Sequence, residues 1–161
     1  SNASEGKPAG ITIKLNNLQE RSMIDQLYEA SRAGVKVQLL VRGICCLAPG
    51  VPGQSENITV TRIVDRYLEH ARVFVFENDG NPLYFLGSAD WMNRNLHSRI
   101  EVCFQVDDPQ LKTEIATILD LQLKDNCKAC YLTPQLENKW VLNDAPRFQA
   151  QEAIYQWLKN K

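Results

Sequence analysis

The sequence predicts an α/β layered domain, a mixed β-sheet with helices on both faces. Three observations predict it. Residues 10–41 read as strand, helix, strand, about thirty residues and the size of a βαβ unit. The second of these strands, "VKVQLLV" (35–41), is almost continuously apolar, as expected where both faces of a sheet are covered. Further strand patterns then fall between two more segments of helical spacing, 109–124 and 147–160, and such a mixture packs in layers.

Each element has its own justification. "GITIKL" (10–15) alternates apolar and polar residues and is rich in β-formers, which predicts a strand. Over 18–33, Leu18, Met23, Ile24, Leu27, Tyr28 and Ser31 recur at helical spacing, and Gly34 supplies a stop. After the strand 35–41, "APGVPGQSEN" (48–57) is turn chemistry and predicts a loop. "ITVTRIV" (58–64) reads as a strand, and "DRYLEH" (65–70) carries no assignment. "ARVFVFE" (71–77), the turn "NDGNP" (78–82) and "LYFLGS" (83–88) predict a hairpin. "IEVCFQV" (100–106) predicts another strand. Residues 109–124 carry Leu111, Ile115, Ile118, Leu119 and Leu121 behind Pro109, a residue suited to the first turn of a helix. The last helix, 147–160, gathers Ala150, Ala153, Ile154, Trp157 and Leu158 on one side.

Composition narrows the function classes. A chain of 161 residues, 44% hydrophobic and 23% charged, is an ordinary globular domain with room for one core. A net charge of −1 argues against a general nucleic-acid binder, so any polyanion site must be a local cluster of arginines. No apolar run suffices for a membrane span. Five cysteines, two of them adjacent, do not form a disulfide framework and fit a reducing cytoplasm. Cys127 and Cys130 form a single CxxC, two ligands where a structural zinc site takes four, so no metal site is expected. Ser1-Asn2-Ala3 reads as a remnant of tag removal, and 4–161 as one domain cut from a longer chain.

The residues able to handle phosphate are arginines at strand ends. Arg42 follows directly on the strand 35–41, a position that faces ligands in such sheets. Arg72 stands two residues after His70, Arg94 follows "GSADWMN" (87–93), and Arg99 opens the strand 100–106. The guanidinium fork matches phosphate oxygens bidentately, although Asp65, Asp90 and Glu101 lie near enough in sequence to pair with these arginines instead. His70 titrates near neutrality and so can act as acid, base or donor, or simply bond to backbone. His97, in "NRNLHSR", reads as a surface residue. No Walker loop and no kinase glycine loop occurs, which leaves arginine and histidine for the chemistry.

"HAR" (70–72) followed by "GSAD" (87–90) resembles the second half of the phospholipase D superfamily signature, HxK…GSxN. Arg72 replaces its lysine, Asp90 its asparagine, and its later aspartate is absent. Longer blocks, "LVRGIC", "DRYLEHAR" and "SADWMNRN", within a likeness that covers nearly everything after residue 10, closely resemble the C-terminal domain of bacterial polyphosphate kinases. The resemblance implies a phospholipase D-like fold and reversible transfer of the terminal phosphate of ATP to inorganic polyphosphate. It further implies magnesium, a phosphohistidine in the preceding domain, and magnesium ligands outside this chain. Arg42 matches an ATP-phosphate ligand, His70 the second active-site histidine, and Arg99 a further phosphate-facing arginine; Arg72 joins them as a charge beside His70. Expected partners are ATP or ADP, polyphosphate, the preceding domains and, for the full-length chain, further copies of itself; nucleic acid is not expected. A cytoplasmic protein with peripheral membrane association is the expected setting. Two other classes fit the same residues: a phospholipase D-like phosphodiesterase that pairs two His70 sites in a dimer, and a non-catalytic polyanion-binding module.

Overall fold

The computed structural model describes residues 3–161; Ser1 and Asn2, most of the expected tag remnant, lie outside the described residues. One sheet of eight strands runs through the molecule in the order β6-β5-β4-β1-β2-β3-β7-β8. These strands are β1 (Gly10–Leu15), β2 (Lys36–Val41), β3 (Ile58–Ile63), β4 (Arg72–Phe76), β5 (Leu83–Gly87), β6 (Cys103–Val106), β7 (Ala129–Leu132) and β8 (Asn138–Trp140). The central three, β1, β2 and β3, are parallel, and every flanking pair is antiparallel. The helices are α1 (Arg21–Arg32), α2 (Asn93–Ser98), α3 (Pro109–Leu123) and α4 (Ala150–Lys159).

Side-chain alternation divides the core in two. On one face Ile13 and Leu15, Val37, Leu39 and Val41, Ile58 and Val60, and Phe74 pack with Ile24 and Leu27 of α1. On the other, Leu40, Ile63 and Val73 pack with Leu119 of α3 and Ala150 of α4. β2 contributes to both clusters, which is why its sequence is apolar throughout.

Several elements differ from the sequence reading. α1 begins at Arg21 because Glu20 caps it, its carboxylate accepting from Met23 N at 2.8 Å. Leu18 therefore leaves the helix and instead bridges Cys45 and Trp91. β6 begins at Cys103 and α4 at Ala150, three residues later than expected in both cases. The helix α2 and the hairpin β7–β8 occupy segments that carried no assignment.

Candidate active site

The parallel strands β1, β2 and β3 all end at one edge of the sheet. Antiparallel pairing brings the start of β4, the end of β5, and the starts of β6 and β7 to the same edge. Open α/β sheets bind ligands at this edge. Arg42, His70, Arg72 and Arg99 all lie along it.

Arg42 leaves β2 half-buried, and among the described residues its side chain forms no salt bridge. Its backbone N donates to Leu15 O at 3.3 Å, and Gly43 N donates to Asn16 O at 2.7 Å. Glycine is required at 43 by close approach: a Cβ there would stand 2.6 Å from Asn17 Oδ1 and 2.9 Å from Asn16 O. Asn17 Oδ1 also accepts from Ile44 N at 2.9 Å, so the turn after Arg42 is fixed from below.

His70 lies just before β4 rather than on it, and its side chain is exposed. The segment leading to it is clamped from the α3/α4 side. Glu69 accepts from Gln122 Nε2 at 2.7 Å and from Gln151 Nε2 at 3.1 Å, and its carboxylate is 3.5 Å from Lys14 Nζ. Gln151 also donates to Tyr67 O and accepts from Tyr67 N, while Gln149 donates to Asp65. Burial pulls the Lys14 ammonium below its usual pKa, against the opposing pull of Glu69. Glu69 is thus committed to this clamp rather than to the neighbouring imidazole.

Arg72 has a structural partner. Its Nε lies 3.3 Å from Asp90 Oδ1, with both side chains largely buried, and its Nη1 donates to His70 O at 3.0 Å. Asp90 also accepts from Asn16 N at 2.9 Å and from Asn17 Nδ2 at 3.1 Å. Burial alone would raise the pKa of Asp90; the donors from Asn16 and Asn17, with Arg72, outweigh it and hold the carboxylate below its usual range. The turn ends on Trp91, which stacks on Phe74 at 5.6 Å between ring centroids.

Arg99, exposed, follows α2. Beside it, Glu101 accepts from Ser88 Oγ and, at 2.7 Å, from Asn95 Nδ2. These two donors, the Ser88 hydroxyl first, hold Glu101 below its usual pKa, and Arg99 and Arg72 add to the effect. Arg42 at the end of β2 and His70 and Arg72 at the start of β4 are two strand spacings apart, about 10 Å, with β1 between them. Arg99 stands apart: four strand spacings separate the β2 and β6 ends, about 19 Å. His97 is exposed, as expected, 3.8 Å from Glu20.

Lys14, Gln122, Gln151, Asn16 and Asn17 did not emerge from the sequence. One signal existed for Lys14. If β2 is covered on both faces, its neighbour β1 is covered too, and the lysine at the polar position of "GITIKL" must be buried and paired. Magnesium, implied by the resemblance, does not fit the carboxylates of this edge. Glu69, Asp90 and Glu101 are each occupied by protein donors, and no group of three or more His, Cys, Asp or Glu among the described residues could hold a metal.

The sheet order and the strand-end site define a phospholipase D-like α/β domain. NucT from Helicobacter pylori matches it with a TM-score of 0.57 at 14% identity, over 76% of this chain and 84% of that one. Nuc from Salmonella typhimurium, a phospholipase D family member, matches with a TM-score of 0.55, also at 14% identity, over 76% of this chain and 82% of that one. The chain belongs to the polyphosphate kinase family: a model described as polyphosphate kinase C-terminal domain 2 matches residues 1–151. It is 51% identical over 158 residues to the polyphosphate kinase of Yersinia pestis, a match covering 98% of this chain and 23% of that protein. Against the polyphosphate kinase of Escherichia coli K12 the identity is 48% over 161 residues, covering 99% and 23%. The crystal structure of polyphosphate kinase from Porphyromonas gingivalis superposes with a TM-score of 0.96 at 50% identity, covering 99% of this chain and 24% of that one. The chain therefore spans about a quarter of the length of the relatives it matches.

Proposed function

We propose that this domain supplies the ATP- and polyphosphate-binding side of a polyphosphate kinase active site. The reaction is reversible transfer of the terminal phosphate of ATP to inorganic polyphosphate. The phosphohistidine and the magnesium ligands lie in the portion of the longer protein that precedes this domain. The observation that carries the reading is the pairing of Arg42, which has no acidic partner among the described residues, with an exposed His70 on the same sheet edge.

Phosphoryl transfer proceeds through a loose transition state whose charge spreads over oxygens, so catalysis is mostly positioning and electrostatics. Arg42 neutralises charge on the β- and γ-phosphates, and Arg99 meets the phosphate chain farther along the edge. Arg72, bound to Asp90, contributes mainly by holding the backbone at His70. ADP leaves readily and needs little protonation, so His70 serves as a positioning group and hydrogen-bond donor to the phosphate chain rather than an obligatory acid. A phosphodiesterase must protonate an alkoxide and needs its acid more; commitment of Arg72 to Asp90 weighs against that reading.

The test is His70→Ala in the full-length kinase that contains this domain. Turnover is expected to fall by about a hundredfold or more, the usual scale for a catalytic acid–base group, with the 161-residue chain alone making no polymer. Near wild-type turnover of the variant, or polymer synthesis by the isolated chain, would refute the proposal.

A further inference from the structure

Lys14 occupies a core position of the sheet. On β1 it pairs with Leu40 of β2 and Val73 of β4, both buried in the cluster that faces α3 and α4. Its side chain is 8% exposed, and Nζ lies 3.5 Å from Glu69 Oε2. These registers place it between the two strands that carry the site: Leu40 stands two residues before Arg42, and Val73 three residues after His70. Lys14, Arg42, Glu69 and Gln122 line one cavity of about 10 Å³, room for about a single water. A phosphate group does not fit that space, so Lys14 can influence the reaction only through its neighbours.

Those neighbours are assembled around an anionic Glu69. Gln122 Nε2 donates to Glu69 Oε2 at 2.7 Å, and Gln151 Nε2 to Oε1 at 3.1 Å. Gln122 is buried, and its own Oε1 finds no partner among the described residues, so the amide gives up its acceptor to present its donor. Among the described residues, Lys14 is the one cation that reaches this carboxylate. Burial lowers the pKa of the Lys14 ammonium, Glu69 opposes that pull, and the Arg42 charge adds to it. Stability alone does not account for such a pair, because a buried ion pair can often be replaced by apolar residues of similar volume without loss. What the pair does is geometric. It ties residue 69, one peptide from His70, to the strand that runs beside Arg42.

We propose that Lys14 is a positioning residue for His70, acting through Glu69. The inference rests on the proposed function, in which His70 donates to the phosphate chain. Gln122 and Gln151 hold Glu69 from the helices, and Lys14 holds it from β1. The tie fixes the span between the imidazole and the Arg42 guanidinium, which a phosphate chain has to bridge. Without it both side chains remain and nucleotide still meets Arg42, but His70 drifts from the reacting phosphate. The effect therefore falls on turnover rather than on affinity.

The experiment compares Lys14→Met, Glu69→Gln and the double variant in the full-length kinase that contains this domain. Lys14→Met should lower kcat by about tenfold or more, the scale for misplacing a group from outside the reacting atoms, with KM for ATP within about twofold of wild type. Glu69→Gln should lower kcat on the same scale, and the double variant no further than the lower of the two singles, because both changes cut one tie. A kcat for Lys14→Met within about twofold of wild type overturns the proposal. So does a double variant whose loss is the product of the two single losses, which would make Lys14 independent of Glu69. A raised KM with unchanged kcat overturns it too, assigning Lys14 to nucleotide binding through Arg42. The 161-residue chain supplies a second readout: it contains two histidines, so NMR resolves their imidazole C–H resonances individually. Lys14→Met should shift or broaden the His70 signals and leave those of His97, beside Glu20 at the start of α1, unchanged. His70 signals identical to wild type in a folded variant overturn the proposal. If Lys14→Met shows no cooperative thermal transition, the double variant, which buries no unpaired charge, carries both measurements. Turnover lost in His70→Ala but kept in the Lys14 variants refutes this inference alone. Turnover kept in His70→Ala refutes the proposed function and this inference with it.

Discussion

Asp90→Asn tests whether the strand-end edge is held together by one buried carboxylate. The carboxylate accepts from Asn16 N and Nδ2, Asn17 Nδ2 and two nitrogens of Arg72. Asparagine keeps the shape and one acceptor oxygen, but turns the second oxygen into a donor that faces other donors. It also leaves Arg72, largely buried, without its counter-charge. Removing one member of a buried ion pair costs about 3–5 kcal/mol. Because Arg72 keeps its bond to His70 O and partial contact with solvent, the lower end, about 3 kcal/mol, is expected. For a chain of this size that lowers Tm by about 6–12 °C. Urea unfolding should show a lower midpoint with an unchanged m-value. The pH dependence supplies the sign. The folded pKa of Asp90 is depressed, so its contribution is fully present above the unfolded value of about 3.9 and is lost as pH falls through the folded pKa. The gap between wild type and variant should therefore be largest near neutrality and close in acid. Coupling with Arg72→Met in a double-mutant cycle assigns the ion-pair share. A gap below about 0.5 kcal/mol at neutral pH, the scale of an ordinary surface substitution, would refute the reasoning. So would a gap that persists unchanged into acid.

Gly43→Ala should destabilise by about 1–3 kcal/mol, the cost of forced overpacking, because its Cβ would meet Asn16 O and Asn17 Oδ1 at 2.9 and 2.6 Å; ATP affinity of the full-length enzyme should fall with it, and an unaltered affinity would detach the turn from the site. Gln122→Leu removes the 2.7 Å bond to Glu69 at a cost of about 1–3 kcal/mol. Amide hydrogen exchange across 65–70 should accelerate while β1 and β2 stay protected, and unchanged exchange there would show that the clamp does not order the segment.

The central elements were legible because they bury strong patterns: a βαβ unit, a doubly apolar β2 and a hairpin around "NDGNP". The missed elements carry no such pattern. β8 is three residues long and exposed throughout, so its sequence shows no alternation. α2 is six residues with no side-chain N-cap, too short for helical periodicity to appear. Boundaries moved where polar side chains take backbone or carboxylate partners. Glu20 starts α1 late, and Glu101 turns toward Ser88 and Asn95 outside β6. The position of Arg42 and His70 at the strand-end edge was legible, but the partners that fix the surrounding backbone were not. Gln122 and Gln151 lie fifty or more positions from Glu69 in sequence, and amides on amphipathic helices read as surface until the sheet folds beneath them.

The two departures from the phospholipase D signature explain each other. Arg72 in place of lysine and Asp90 in place of asparagine meet as an ion pair at 3.3 Å. A planar guanidinium can serve Asp90 through Nε and Nη2 while Nη1 reaches the His70 carbonyl; a lysine ammonium has no such fork. The cost of the exchange is a positive charge withdrawn from the ligand face, since a cation paired at short range presents little field to solvent. Arg42 forms no salt bridge among the described residues, so its charge is not withdrawn in this way.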